Sequence, residues 1–127
     1  MSASNKFKIT TQIRQLLLAN PKIIEKIGEN IFPLVASKDT KGDIITYQRD
    51  AYNKSRDKMG VHSQECFVWI NAISDTYDRS QELACLIDET LDGSFTFNGQ
   101  PIEIWLDDST EEFEDGKFIQ VLLYKIK

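Results

Sequence analysis

The sequence predicts an α+β domain: a largely antiparallel sheet of about four to five strands, one long helix packed on a face, and two short N-terminal helices. Three observations predict it. Short runs rich in β-formers follow one another at 43–50, 61–72, 94–98, 101–107 and 117–126. Asn98-Gly99 joins two of these runs and is the strongest short hairpin signal. A single long stretch, 76–91, carries apolar residues at helical spacing. Hairpin-linked strands pair antiparallel, because a parallel pair needs a long crossover.

The elements follow in chain order. Thr10 or Thr11 can cap a first helix carrying Ile13, Leu16 and Leu17. Asn20-Pro21 restarts the chain as cap and first helical residue, and Ile23, Ile24 and Ile27 form a second, short helix that ends at Gly28. Residues 31–35 read as a short extended piece and 36–42 as a loop. After the strand at 43–50, residues 51–60 are polar and lack periodicity, so they read as a loop or hairpin tip. The strand at 61–72 leads to a cap at Ser74 or Asp75 and to the main helix, whose stripe is Leu83, Leu86, Ile87 and Thr90 or Leu91. Asp115-Gly116 marks the last turn, before the strand at 117–126.

A chain of 127 residues is expected to form one domain, residues 1–127, with 1–8 a flexible leader. Its 41% hydrophobic and 28% charged residues suit a folded globule. No stretch approaches the roughly 20 apolar residues of a membrane span. The start, MSASNKFKIT, has no apolar signal core, so a cytosolic chain with reduced, packing thiols at Cys66 and Cys85 is expected. The net charge of −5 argues against general nucleic-acid binding. The charge is uneven. Residues 1–60 carry 11 basic and 6 acidic side chains, and residues 61–127 carry 4 and 14, so the halves stand at +5 and −10.

Strand residues alternate between two faces. Ile102, Ile104 and Leu106 share one, as do Cys66, Val68 and Ile70; this is the expected seat of the long helix. The opposite face then carries Phe67, Trp69 and Trp105. In the last strand Ile119, Val121 and Leu123 share one face, and Phe118, Leu122, Tyr124 and Ile126 the other. Two strands that are apolar on both sides demand a second cover. The two N-terminal helices or a neighbouring subunit could supply it.

The residues of chemistry do not gather. His62 is the single histidine and starts a strand, and no serine elbow, phosphate loop or dinucleotide fingerprint occurs. Glu103 to Asp115 holds seven carboxylates and no basic residue, but DDSTEEFEDG lacks calcium-loop spacing, so it reads as a solvated acidic loop or a dock for a basic partner. Lys54, Arg56 and Lys58 form the converse, a basic hairpin tip.

Taken in order, IRQLLLAN at residues 13–20, NIFPLVA at 30–36, IITYQR at 44–49, ECFVWINAISDTYDRSQELACLIDETLDG at 65–93, and the closing strands resemble the tail-completion, or tail terminator, proteins of tailed phages. The resemblance spans about residues 10–126. Its weight lies in the order of structural segments, since none of them is catalytic. One departure is Lys41-Gly42-Asp43 where the family often has a proline before the strand.

The resemblance implies a phage or prophage structural protein that caps the tail tube as a ring, typically hexameric, and joins it to the head connector. It implies no enzymatic activity and no cofactor. Its partners would be other copies of itself, the tail tube protein and the head connector protein. No membrane and no specific nucleic-acid binding is implied, though DNA passes through such a ring. Assembly would occur in the bacterial host cytoplasm and the product would reside in the virion tail. The candidate subunit interface comprises Phe67, Trp69, Trp105, Leu122, Tyr124, Lys54, Arg56 and Lys58. The rival readings are a connector or assembly factor of a related injection apparatus, and a small cytosolic enzyme or ligand-binding domain built on Cys66, His62 or residues 107–115.

Overall fold

The computed structural model describes residues 7–36, 40–57 and 60–127, and at 53–57 and 60–64 the backbone alone. The helices are α1 (Ile9–Leu18), α2 (Pro21–Ile27) and α3 (Tyr77–Leu91). The strands are β1 (Ile31–Pro33), β2 (Ile44–Asp57), β3 (Gly60–Ser74), β4 (Gly93–Phe97), β5 (Gln100–Glu114) and β6 (Lys117–Ile126). They form one six-stranded sheet in the order β1-β2-β3-β6-β5-β4. Every pairing is antiparallel except that of β1 with β2. The sheet is thus mixed and has six strands where four to five were expected. The difference is β1, three residues that pair in parallel with Ile45–Tyr47.

Local chemistry accounts for the element ends, with two corrections. α1 opens at Ile9, after Lys8, with no side-chain cap, so neither Thr10 nor Thr11 serves. Ile9 belongs to the buried stripe Ile9, Ile13, Leu17, and burying it draws both threonines into the first turn. α3 is capped by Thr76, whose Oγ1 accepts from Arg79 N at 3.2 Å. Ser74 and Asp75 are engaged elsewhere. The Ser74 hydroxyl donates to Asp43 at 2.7 Å, and Asp75 pairs with Lys117. Asn20 caps α2 as its sequence suggests, accepting from Lys22 N at 3.0 Å. The turns at Asn98-Gly99 and Asp115-Gly116 hold positive φ at both residues (52° and 78°, 51° and 77°). That is the I′ geometry whose twist matches a right-handed hairpin, and glycine takes the second position without Cβ strain.

The helices form a single layer on one face. α3 packs on β3, β5 and β6, α1 packs on α3 and β2, and α2 packs on α3. Beneath them Ile45, Tyr47, Cys66, Val68, Ile70, Ala72, Ile102, Ile104, Leu122, Tyr124 and Ile126 join the helix stripes in one core. Three polar contacts fasten α3 to the sheet. Asp43, 2% exposed, accepts from Ser74 and from Arg79 Nε and Nη2 at 3.3 and 3.2 Å. The Gln120 amide donates to Ser80 Oγ at 3.2 Å. The Tyr124 hydroxyl donates to Asp88 at 3.0 Å. The N-terminal helices join through Asn20 Nδ2, which donates to Thr90 Oγ1 at 2.8 Å.

Two segments read as loops are strand. β2 runs on to Asp57 and β3 starts at Gly60, so the polar stretch is the body of a hairpin rather than its tip. β5 likewise continues through the acidic run to Glu114, paired with β6. Both lengths are polar in sequence, so alternation disappears while backbone pairing persists. A bulge after Leu106 leaves Asp107 unpaired between Leu106↔Tyr124 and Asp108↔Leu123. Leu106, expected inside, is 37% exposed beside that bulge. The expected flexible leader at 1–8 falls mostly on residues 1–6, outside the described residues. Phe7, at its end, packs edge-on against Tyr52 with ring centroids 5.1 Å apart.

Candidate subunit interface

Because α1, α2 and α3 share one face, the other face of β3 and β6 has no helix over it among the described residues. The register builds that face row by row: Phe67 opposite Lys125, Trp69 opposite Leu123, Asn71 opposite Val121, Ile73 opposite Ile119. Trp105 of β5 extends the first row past Lys125. On the far side the rows end in Gln48 and Thr46 of β2. All of the β3, β5 and β6 members named here are half-buried, shielded by one another and otherwise open. Lys125 lies between two rings, its Nζ 5.7 Å from the Phe67 centroid and 5.9 Å from that of Trp105, and pairs with Glu65 at 3.6 Å. Lys127 stands 5.8 Å from the Trp105 ring. Such contacts contribute about 0.5–1 kcal/mol each at exposed sites.

The structure thus separates the expected interface residues. Phe67, Trp69 and Trp105 lie together on the open face. Leu122 and Tyr124 do not join them: they are 4% and 0% exposed, sealed beneath α3. The even-numbered residues of β6 lie on the helix side, where Gln120 reaches Ser80 and Tyr124 reaches Asp88. Lys54 and Arg56 are strand residues of β2, with their side chains outside the described set, and Lys58 lies outside the described residues altogether. Ile119, Val121, Leu123 and Lys125 complete the face and were missing from the expected interface. Their period of two was legible, but not which side the helices take.

The other candidates scatter. Cys66 is buried in the core, whereas Cys85 is exposed on α3, against the expectation of two packed thiols. The side chain of His62 lies outside the described residues. The acidic run is exposed from Asp107 to Asp115. Within it, hydrogen bonds from Tyr77 and then Gln120 hold the Glu111 carboxyl below the usual carboxylate range. Among the described residues no group of three or more His, Cys, Asp and Glu side chains is placed to hold a metal ion. No helix among them is long and apolar enough to cross a membrane.

No known family pattern matches the chain, and no curated protein matches it in sequence. Solved structures do match its fold. A chain from the virion of a native gene transfer agent particle superposes with a TM-score of 0.74 at 16% identity, over 90% of this chain and 89% of that one. A second solved chain superposes with a TM-score of 0.57 at 13% identity, over 89% of this chain and 93% of that one.

Proposed function

We propose that this chain is a non-enzymatic structural subunit of a phage or prophage tail, which caps the tail tube as a ring and joins it to the head. The observation that carries the reading is the open face of β3 and β6, with Phe67, Trp69, Trp105, Val121 and Leu123 side by side and no helix above them among the described residues. Apolar surface of this kind is commonly an interface. The fold likeness to a chain of a gene transfer agent virion supports placing that interface in a particle of the same general sort. So does the order of segments that resembles tail-completion proteins. The partners of the reading are further copies of the chain, the tube protein and the head connector. A ring of identical subunits needs a head-to-tail contact between two unlike patches, and a chain whose halves differ by fifteen charges can supply them.

The test is sedimentation velocity of the purified chain alone and with tail tubes, followed by electron microscopy of the tube ends. The reading expects a closed oligomer or a cap on one tube end. A strict monomer that ignores tubes at every concentration overturns it.

A further inference from the structure

β5 has β6 on one side and β4 on the other, and β4 pairs with it only as far as Gly93↔Ile104. From Trp105 to Glu114 the outer edge of β5 therefore has no strand beside it among the described residues. Hydrogen bonds fix which groups this edge presents. Glu103 and Lys127 exchange both backbone bonds, at 2.9 and 3.0 Å, so the odd-numbered residues of β6 are those that bond to β5. Asp108, Thr110 and Glu112 oppose them and turn their backbone inward. Ser109, Glu111 and Phe113 alternate with these and turn their N–H and C=O groups outward. The Ser109 N–H accordingly donates to the Asp108 carboxylate at 2.9 Å, off the ladder.

The side chains along this edge sort by face. Asp108 and Glu112 oppose Leu123 and Ile119 on the face without helices. Neither carboxylate joins an ion pair among the described residues, and nor do Asp107, Glu114 and Asp115 beside them. Glu111 and Phe113 oppose Gln120 and Phe118 on the helix face. There Phe113 is 64% exposed with its ring centroid 4.8 Å from that of Phe118, and Tyr77, 42% exposed, stands 5.9 Å from the same Phe118 ring. The free edge thus has an anionic side and an aromatic side.

We propose that the free edge of β5 binds an extended segment of another protein, in which lysine or arginine alternates with apolar residues. Unpaired edge backbone is a template for an added strand, and the two faces beside it select the side chains of that strand. Successive side chains of a strand point to opposite faces. The basic residues of the added strand therefore lie beside Asp108 and Glu112, and its apolar residues beside Phe113 and Tyr77. The β5 edge of a second copy is excluded because two acidic edges repel, and nucleic acid is excluded by its own negative charge. The contact is separate from the open face of β3 and β6 and needs no ring.

The test titrates the full chain at low salt with a capped peptide of alternating lysine and valine, followed by amide NMR and hydrogen exchange. The peptide should bind and protect the Glu111 and Phe113 amides from exchange. The same peptide N-methylated throughout keeps its charge but loses its backbone donors, and should bind about tenfold more weakly or less. Asp108→Asn with Glu112→Gln should weaken binding of the unmodified peptide about fivefold, and circular dichroism checks that the variant is folded. Failure of the peptide to bind, binding indifferent to N-methylation, or unprotected Glu111 and Phe113 amides overturns the proposal. Self-association of the chain that falls with the same two substitutions assigns the edge to a second copy, and overturns it too. A chain that caps tubes but ignores the peptide loses this contact alone, and one that takes the peptide but never caps tubes loses the tail reading alone.

Discussion

Trp69 of β3 stands directly opposite Leu123 of β6, and both are half-exposed on the face of the sheet that carries no helix among the described residues. One residue earlier in β6, Leu122 is 4% exposed and opposes Ile70 beneath α3. Neighbours in sequence thus separate a surface for assembly from a surface for folding.

Substitution on the open face should divide the two roles. Trp69→Ala removes a cross-strand pair and costs about 1 kcal/mol or less of folding stability. Leu123→Lys places a charge where water already reaches, at a similarly small cost. Both should abolish tube capping and concentration-dependent association, read by sedimentation velocity. Normal assembly by the double variant would remove this face from the interface.

The converse holds for Leu122. Leu122→Ala opens a cavity under α3 and should cost about 2–5 kcal/mol, read as a lowered urea midpoint. The fraction that remains folded should associate as the wild type does.

Tyr124 should govern stability at alkaline pH. Its hydroxyl is buried, and that burial, with the Asp88 carboxylate it donates to, raises its pKa well above the ordinary value near 10. The unfolded chain ionises this phenol near pH 10 and the folded chain does not. Stability from this group is therefore complete below about pH 10 and declines as pH rises past it. Phenolate absorbance should develop for Tyr124 only as the chain unfolds. Tyr124→Phe should flatten the decline above pH 10 at a cost near neutral pH of about 1 kcal/mol for the lost hydrogen bond.

Arg79 and Ser74 hold the buried carboxylate of Asp43. Arg79→Ala should destabilise by about 1–2 kcal/mol, tempered because Arg79 is half-exposed and Ser74 still donates. Asp43→Ala removes the acceptor of both donors, and Asp43→Ala with Arg79→Ala should be less than additive in chemical denaturation.

The two thiols should differ in rate. Cys85 is exposed on α3 and Cys66 is buried against Ile126 and Tyr52 in the register of the sheet. A maleimide probe should modify one thiol per chain rapidly and the second only at the rate of unfolding, with Cys85→Ser abolishing the fast phase. Two fast thiols would mean that the edge of the core opens readily at β3.

The sequence by itself determined the elements with a buried stripe or a stereotyped turn. The α3 stripe of Leu83, Ile87 and Leu91, the alternation of Cys66, Val68 and Ile70, and the Asn98-Gly99 turn are each imposed by neighbours in the chain, so they are legible from spacing alone. The extension of β2 and β3 and the acidic length of β5 were not, because a run that is polar in sequence leaves no periodic mark and is held as strand by backbone bonds to a partner strand. Nor was the side taken by α1 and α2. Period-two alternation says that Leu122 and Leu123 face opposite ways, not which way the helices lie. Only the tertiary structure decides that, through long-range contacts such as Gln120 with Ser80 and Asn20 with Thr90, and it leaves Trp69 and Leu123 outside the helix layer.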